Sequence, residues 1–331
     1  MLLKKTSRVL IQADLEPVQG SRFQPTGFPD LGAGVFERPD GTRMILVESA
    51  QSMANRLEKV CLDGDGPEIE ENLKGLPYVI VQLHGDVKRD KEEEVLHIDT
   101  WTSSLVEAHR LNSPFIITCP EFSKPFVQKM EYAAGKLLDW HKIASAIFAY
   151  DPNSLIHGIF FANLGDGRVR LPRALSAFIE AEGIREAVSG GVKNNAFDPT
   201  GKIRVSGLEK DVYGNVPYHR TEYTAQRITA YFNLDIGLFR GYHLKTPAYD
   251  LLIALSFYKI RKFLEGGLRL RTACDFKVKG DVRVIEPSGY SLPDTDQLTR
   301  QLRNAIDACA AGELFADPPV TRLETKVVRK A

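Results

Sequence analysis

The sequence predicts an α+β fold. Stretches with period-two alternation of apolar residues are interleaved with stretches of helical period, and the regular βαβα order of a doubly wound sheet is missing. The 331 residues are 43% hydrophobic, ample for a large core and compatible with one to three domains. Gly- and Pro-bearing turns separate the periodic stretches.

Residues 7–16 (SRVLIQADLE) place Val9, Ile11, Ala13 and Leu15 on one face, the pattern of a half-buried strand. The loop SRFQPTGFPDLG (21–32) follows. Two Pro and two Gly deny it a regular period, yet two Phe and a Leu are unusual for a plain linker. A short strand near 33–37, a turn at Pro39-Asp40-Gly41 and a strand at 43–47 come next. Residues 49–61 read as a helix with Ser49 as N-cap and Met53, Leu57, Val60 and Cys61 on its apolar face. Strands are expected at 78–83 and 114–118, a long helix at 125–149, a strand at 154–163 and a helix at about 172–189. Residues 190–225 have poor periodicity. A strand at 227–239 precedes a helix begun by Thr246 as N-cap and Pro247 in the first turn. That helix runs through Leu251, Leu252, Leu255, Tyr258 and Phe263 to Gly266-Gly267. A strand at 267–278, a turn at Gly280-Asp281 into VRVIE, a helix at about 295–311 and a basic, mobile tail complete the chain.

The totals exclude several classes. Lys plus Arg and Asp plus Glu each number 43, so overall basicity cannot drive nucleic-acid binding, although a local groove can. Cys61, Cys119, Cys274 and Cys309 have no paired spacing, which fits a reducing cytoplasm rather than a zinc ribbon or a disulfide framework. No signal peptide and no long apolar run is evident, so a cytoplasmic protein without a membrane partner is expected. Phosphate-loop, dinucleotide, zinc-protease and nucleophile-elbow motifs are missing, and no cofactor is implied. The run DGDGPEIEE (63–71) has the wrong spacing for a calcium loop and reads as a solvated acidic loop.

Three places carry the chemistry of a polyanion site. The outer face of the 49–61 helix presents Gln51, Ser52, Asn55 and Arg56 beside a helix N-terminus, a set suited to a sugar-phosphate backbone. A solvated polar face has the same composition. Residues 240–283 hold ten Lys/Arg against four Asp/Glu, with Arg269 and Arg271 alternating on a strand beside a double glycine. A solvated sheet face is the plain alternative. Lys202 to Arg227 mixes Lys202, Arg204, Lys210, Arg220 and Arg227 with Tyr213, Tyr218, His219 and Tyr223, and cations with stackable rings are used for single-stranded RNA. An irregular surface hairpin reads the same way. The acidic segment 62–99, with eleven Asp/Glu against four Lys/Arg, is a poor phosphate partner.

Four stretches in order, ADLEPVQGSRFQPTGFPDLG, VESAQSMANRLE, SGGVKNN and GGLRLRTACDF, resemble the backbone subunit of type I-G (formerly I-U) CRISPR Cascade complexes, a RAMP-superfamily protein. The resemblance runs from about residue 8 to 285. It implies an RRM-like (ferredoxin-like) βαββαβ palm, with elements at 7–16, 49–61, 154–163, 227–239, 248–264 and 268–279. The implied units are a first palm half with guide-binding loop and helix (1–61), an inserted helical finger segment (62–150), a palm continuation (151–196), a thumb hairpin (197–226), a second palm half (227–290) and a C-terminal helix and tail (291–331).

The resemblance further implies a non-catalytic subunit that polymerises head to tail along one CRISPR RNA, giving a helical filament. Its implied partners are that RNA, the target DNA strand paired to it, copies of itself, a large subunit, a guide-processing subunit and a recruited helicase-nuclease. The SAQSMANRLE helix is similar to an S-x-Q-S guide-binding helix, which gives Gln51, Ser52, Asn55 and Arg56 that role. GGLRLR resembles a degenerate RAMP glycine-rich loop, which does the same for Arg269 and Arg271, and Arg220 lies on the implied thumb. In the 21–32 loop, Arg22 and Gln24 meet phosphate or ribose, Phe23 and Phe28 pack or stack, and Pro25, Gly27 and Pro29 fix the turn. Related type III subunits place an RNA-cutting Asp in the comparable loop, so a metal-dependent RNase acting through Asp30 is the alternative. A small-molecule enzyme with this loop as a lid is a third class, but nothing in the sequence supplies its nucleophile or base.

Overall fold

The computed structural model describes residues 3–28, 30–64, 66–88, 95–162, 164, 167–203 and 214–328. It is a mixed α+β structure built on an antiparallel main sheet. The first strand, β1 (Arg8–Pro17), leads into the Pro/Gly loop, then β2 (Val35–Glu37), β3 (Arg43–Glu48) and helix α1 (Ala50–Lys59). Next come β4 (Tyr78–Lys88), β5 (Val95–Ser103) and helices α2 (Pro114–Ile117), α3 (Pro120–Met130), α4 (Trp140–Tyr150) and α5 (Pro152–His157). Strands β6 (Leu175–Glu182), β7 (Arg185–Lys193), β8 (Val216–Thr224) and β9 (Arg227–Asp235) precede helices α6 (Ile236–Gly241) and α7 (Thr246–Glu265). Strands β10 (Arg269–Arg271), β11 (Cys274–Val278) and β12 (Arg283–Glu286), helix α8 (Thr295–Ala311) and β13 (Val320–Lys326) follow.

The main sheet has the order β10-β11-β1-β9-β6-β3-β2, with β12 also paired to β1. Its two long central strands match from Arg8↔Asp235 to Leu15↔Ile228. Val9, Ile11, Ala13 and Leu15 are buried on one face, as their alternation predicts. Helices α1 and α7 pack together over that buried core. Met53 and Leu57 of α1 are fully buried with Cys61, at about 1.5–3 kcal/mol for each large apolar side chain. Leu251, Leu252, Leu255, Tyr258 and Phe263 of α7 are also buried, as expected. Ser49 caps α1: its side chain accepts from the Ser52 N–H at 3.3 Å. Two further layers are separate. The ribbon β7–β8 forms its own two-stranded sheet, bridged to the Pro/Gly loop at Tyr223, and β13-β4-β5 form a small sheet in which β13 runs parallel to β4.

Several expectations are corrected. Residues 114–117 form a helix rather than a strand, because Ser113 caps the Phe115 N–H and Pro114 supplies a ready first turn. The long helix expected at 125–149 is two helices, α3 ending at Glu131 with a left-handed φ of 50° and α4 starting on an Asp139 cap. Of the strand expected at 154–163, residues 154–157 belong instead to α5, nucleated by Asp151, whose carboxylate accepts from the Asn153 N–H and the Ser154 hydroxyl, and Ile159–Phe160 are extended as a short strand. The helix expected at 172–189 is the strand β6 and the first part of β7, with Leu175, Ala177, Ile179 and Ala181 of β6 buried in strict alternation. Lys245 rather than Thr246 occupies the N-cap of α7. The strand expected at 227–239 gives way after Asp235 to α6, and that at 267–278 breaks at Ala273, whose φ is 58°. The tail was expected to be mobile, yet residues 320–326 are ordered as β13.

Candidate nucleic-acid interface

The Pro/Gly loop is fastened before any side chain is considered. The Val18 N–H donates to the Asp275 carbonyl at 3.0 Å, and the Gln24 N–H to the Ala273 carbonyl at 2.8 Å. Phe23 and Tyr223 exchange two backbone bonds of 2.9 Å, and the Thr26 N–H reaches the Val47 carbonyl at 3.0 Å. Loop, ribbon and β11 are thereby held together. Phe23 is buried and meets Phe276 edge-on, with ring centroids 5.7 Å apart. Its ring packs the loop onto the sheet instead of offering a stacking platform. Gly27 allows the close return of the chain at Gly32, where a Cβ would lie 2.7 Å from the carbonyl oxygen. Pro29, the Phe28 side chain, Arg204, Lys210 and Tyr213 lie outside the described residues.

A cleft of about 640 Å³ opens where these elements meet. Residues 18–22 line one wall, Arg220 and Glu222 of β8 another, and Gly267, Arg269, Ala273 and Asp275 a third. Three of the sequence-predicted arginines therefore share one cleft. Glu222, itself buried, holds two of them: Arg22 at 3.2 Å and Arg220 at 3.0 Å, while Ser189 donates to it at 2.9 Å. Arg269 is 77% exposed and only loosely paired with Asp275 at 3.6 Å. Three guanidinium groups face two carboxylates, so the cleft lining carries a mild excess of positive charge.

Arg56 and Arg271 gather instead around a buried acid, Glu48, which is 1% exposed at the end of β3, and Gln24 joins through Arg271. Arg56 Nε lies 3.3 Å from Glu48 Oε1, and Arg271 Nη2 bonds Glu48 Oε2. Arg271 Nη1 also donates to the Gln24 carbonyl at 3.0 Å and to the Cys274 sulfur at 3.2 Å. Arg56 Nη2 donates to the Leu270 carbonyl. Burial pulls the Arg56 guanidinium below its ordinary value, and burial pushes the Cys274 thiol up to about 11 against the opposing pull of Arg271. The Gln24 amide oxygen is buried without a hydrogen-bond partner.

The third group stays on α1. Gln51 and Asn55 are exposed on its outer face and Ser52 is half-buried beside them. Arg173 holds the start of this helix by donating to the Ala50 carbonyl at 2.9 Å. None of these three polar residues lines the cleft. Asp30 is exposed in the turn between the paired segments Gly27–Phe28 and Gly32–Ala33. Among the described residues, no three His, Cys, Asp or Glu side chains are grouped to hold a metal ion.

A sequence profile for "CRISPR-associated protein GSU0053" matches residues 9–186, more than half of the chain and inclusive of the loop, β3 and α1. The chain belongs to this family. It is the RAMP-type backbone family that the four motifs resemble. No curated protein matches the sequence. Among solved structures, the chain is similar to a subunit of a "CRISPR RNA-guided surveillance complex, pre-nicking", with 11% identity, 92% and 89% of the two chains covered and a TM-score of 0.39. Thermofilum pendens Csc2 gives 9%, 92% and 77% with a TM-score of 0.30. A second "CRISPR RNA-guided surveillance complex" gives 12%, 92% and 88% with 0.29.

Within this GSU0053-family chain, Arg22, Gln24, Gln51, Ser52, Asn55 and Arg56 fall inside the matched region, while Arg220, Arg269 and Arg271 lie beyond it. Reading the sequence missed Glu48, Glu222 and Arg173, which hold the cationic and helical parts in place. Glu48 stands immediately before the capping Ser49. A register shift opposite Ile179 and Glu180 obscures its inward direction. No helix among the described residues is long and apolar enough to cross a membrane.

Proposed function

We propose that this chain is a non-catalytic, CRISPR RNA-binding backbone subunit that polymerises along its guide in a type I DNA-targeting surveillance complex. The observation that carries the reading is the convergence of Arg22, Arg220 and Arg269, from three distant segments, on one cleft beside the family's loop. Guanidinium groups of this kind position a phosphate backbone without reading sequence. In the proposed site, Gln51, Ser52 and Asn55 extend contact along the exposed face of α1, and Gln24, Arg56 and Arg271 lie behind the cleft.

The palm is proposed to be RRM-like. In support, β11 and β12, then β1, β9 and β6, lie in the order fourth, first, third, second, with α1 after the first strand and α7 after the third. Strand β6 then takes the place that sequence reading gave to 154–163. The thumb is proposed to be the β7–β8 ribbon, longer than 197–226 because Arg185 to Lys193 pairs with Val216 to Thr224. Val188, Val192, Val216 and Tyr218 on it are exposed, and such uncovered apolar side chains favour a partner from outside the chain. Residues 62–150 form the proposed finger, with β13 completing its sheet. The proposed partners are guide RNA, its paired target DNA strand, further copies of this chain, the other surveillance subunits and a recruited helicase-nuclease, in the cytoplasm.

The test is co-expression with a CRISPR array and its processing subunit, followed by extraction of bound RNA. A guide-length RNA in a particle far larger than the 37.0 kDa chain is the expected result. A nucleic acid-free monomer in the presence of all partners overturns the reading.

A further inference from the structure

We propose that Glu48 is a positioning residue that withdraws Arg56 and Arg271 from phosphate contact and uses them to lock the guide-binding loop, α1 and the glycine-rich strand into one rigid unit. This rests on the proposed RNA-binding role and names the residue that shapes its site. Its carboxylate is 1% exposed, and it ends β3, which runs directly into α1. One oxygen faces Arg56 from α1 and the other binds Arg271 from β10. Each arginine also donates to one backbone carbonyl: Arg271 to Gln24 of the loop, and Arg56 to Leu270 next to Arg269. Three sequence-distant segments are thus tied through one acid.

The charge balance supports a structural use of these two cations. A buried carboxylate cannot remain ionised cheaply unless paired, and here two guanidinium groups flank it. Arg56 and Arg271 are about three-quarters buried, with 26% and 24% of their side chains exposed, whereas Arg22 and Arg269 are 55% and 77% exposed. Arg269, held only loosely at 3.6 Å, is the freest to shed counterions for phosphate, and Arg22 and Arg220 share one buried acid, Glu222, between them; the clamped pair cannot meet phosphate without abandoning Glu48. Cation chemistry in this region is therefore divided between an outer set that binds and an inner set that places it.

Two readouts separate these roles. The first is binding of the full chain to a labelled single-stranded RNA of guide length across a salt series. Arg269→Ala is expected to lower the salt slope by about 0.7, the value for one lost phosphate contact on a single strand. Arg271→Gln is expected to keep the wild-type slope and weaken binding about tenfold at every salt concentration, the loss of one charge-assisted hydrogen bond. Glu48→Gln is expected to weaken binding in the same way despite removing a negative charge, and the double variant to bind no worse than the weaker single variant. A lowered slope for Arg271→Gln, tighter binding by Glu48→Gln, or additive losses overturns the proposal.

The second readout is limited trypsin cleavage after Arg22, which needs no RNA. Release of the loop by Glu48→Gln is expected to accelerate this cut about tenfold, and an unchanged rate overturns the clamp. If the wild-type chain fails to bind RNA, the proposed function falls while the cleavage rate still decides Glu48.

Discussion

The main sheet and the β7–β8 ribbon are both antiparallel and share continuous chain, yet they distribute apolar residues in opposite ways. Along β1, β6 and β9 every second side chain is buried against the helical side. Along β7 no side chain is buried, and β8 buries side chains only near the end that meets the loop. Backbone pairing over nine residue pairs, with the Ser189–Glu222 side-chain bond, holds the ribbon's register. Stability therefore resides in the sheet. The ribbon is free to vary its surface because little of its surface supports the fold.

The largest expected effect lies in the sheet. Phe232 is 2% exposed and contacts Phe263 edge-on at 6.3 Å, so Phe232→Ala should cost about 3–5 kcal/mol in denaturant unfolding. A loss below 1 kcal/mol in that measurement, a small fraction of the usual cost of such a cavity, would break the comparison. Next is the buried His157, which accepts from Lys259 Nζ at 2.9 Å. Burial, then the neighbouring Lys259, Arg110 and Arg173 charges, holds its pKa well below 6.5. The unfolded chain binds this proton more readily, so the contribution is complete above pH 6.5. It is lost as pH falls toward the folded value, on the order of 1 kcal/mol per pH unit. Unfolding curves from pH 7 to pH 5 should show that loss, and His157→Gln should flatten it.

A smaller effect tests the junction between sheet and site. Ser49→Ala removes the cap of α1 and should cost about 1 kcal/mol, read as a lower denaturant midpoint. The smallest effect is on the ribbon. Tyr218→Ser, at a residue 54% exposed, should leave stability within about 0.5 kcal/mol while reducing the size of guide-bound particles. A stability loss as large as that of Phe232→Ala would show that the ribbon belongs to the core after all.

The same division explains what the sequence could convey. Strand β1 and helices α1, α7 and α8 were legible because one periodicity dominates each of them and strong stops bound them. Strand β6 was not, since its Leu, Ala and Glu residues favour a helix even though Leu175, Ala177, Ile179 and Ala181 alternate. In α5 the local Asp151 cap outweighed a run that looks like strand. The cationic residues were visible as types, but their assignments depend on partners far away in the chain. Arg22 and Arg220 share Glu222, and Arg56 and Arg271 share Glu48. Local patterns show that a charge exists; only the fold shows whether it is already spent.

The parallel pairing of β13 with β4 has a consequence for how the chain is made. Tyr78 through His84 must find Val320 through Lys326, which the ribosome adds only after the whole main sheet has been synthesised. Until then one edge of YVIVQL, an uncharged and strongly β-forming run, stays open on the nascent chain. Folding of this layer waits on a contact of very long sequence separation, which slows it. The β13-β4-β5 sheet is thus open to wrong strand pairing in the newborn protein, and crowded polysomes are where that hazard is greatest.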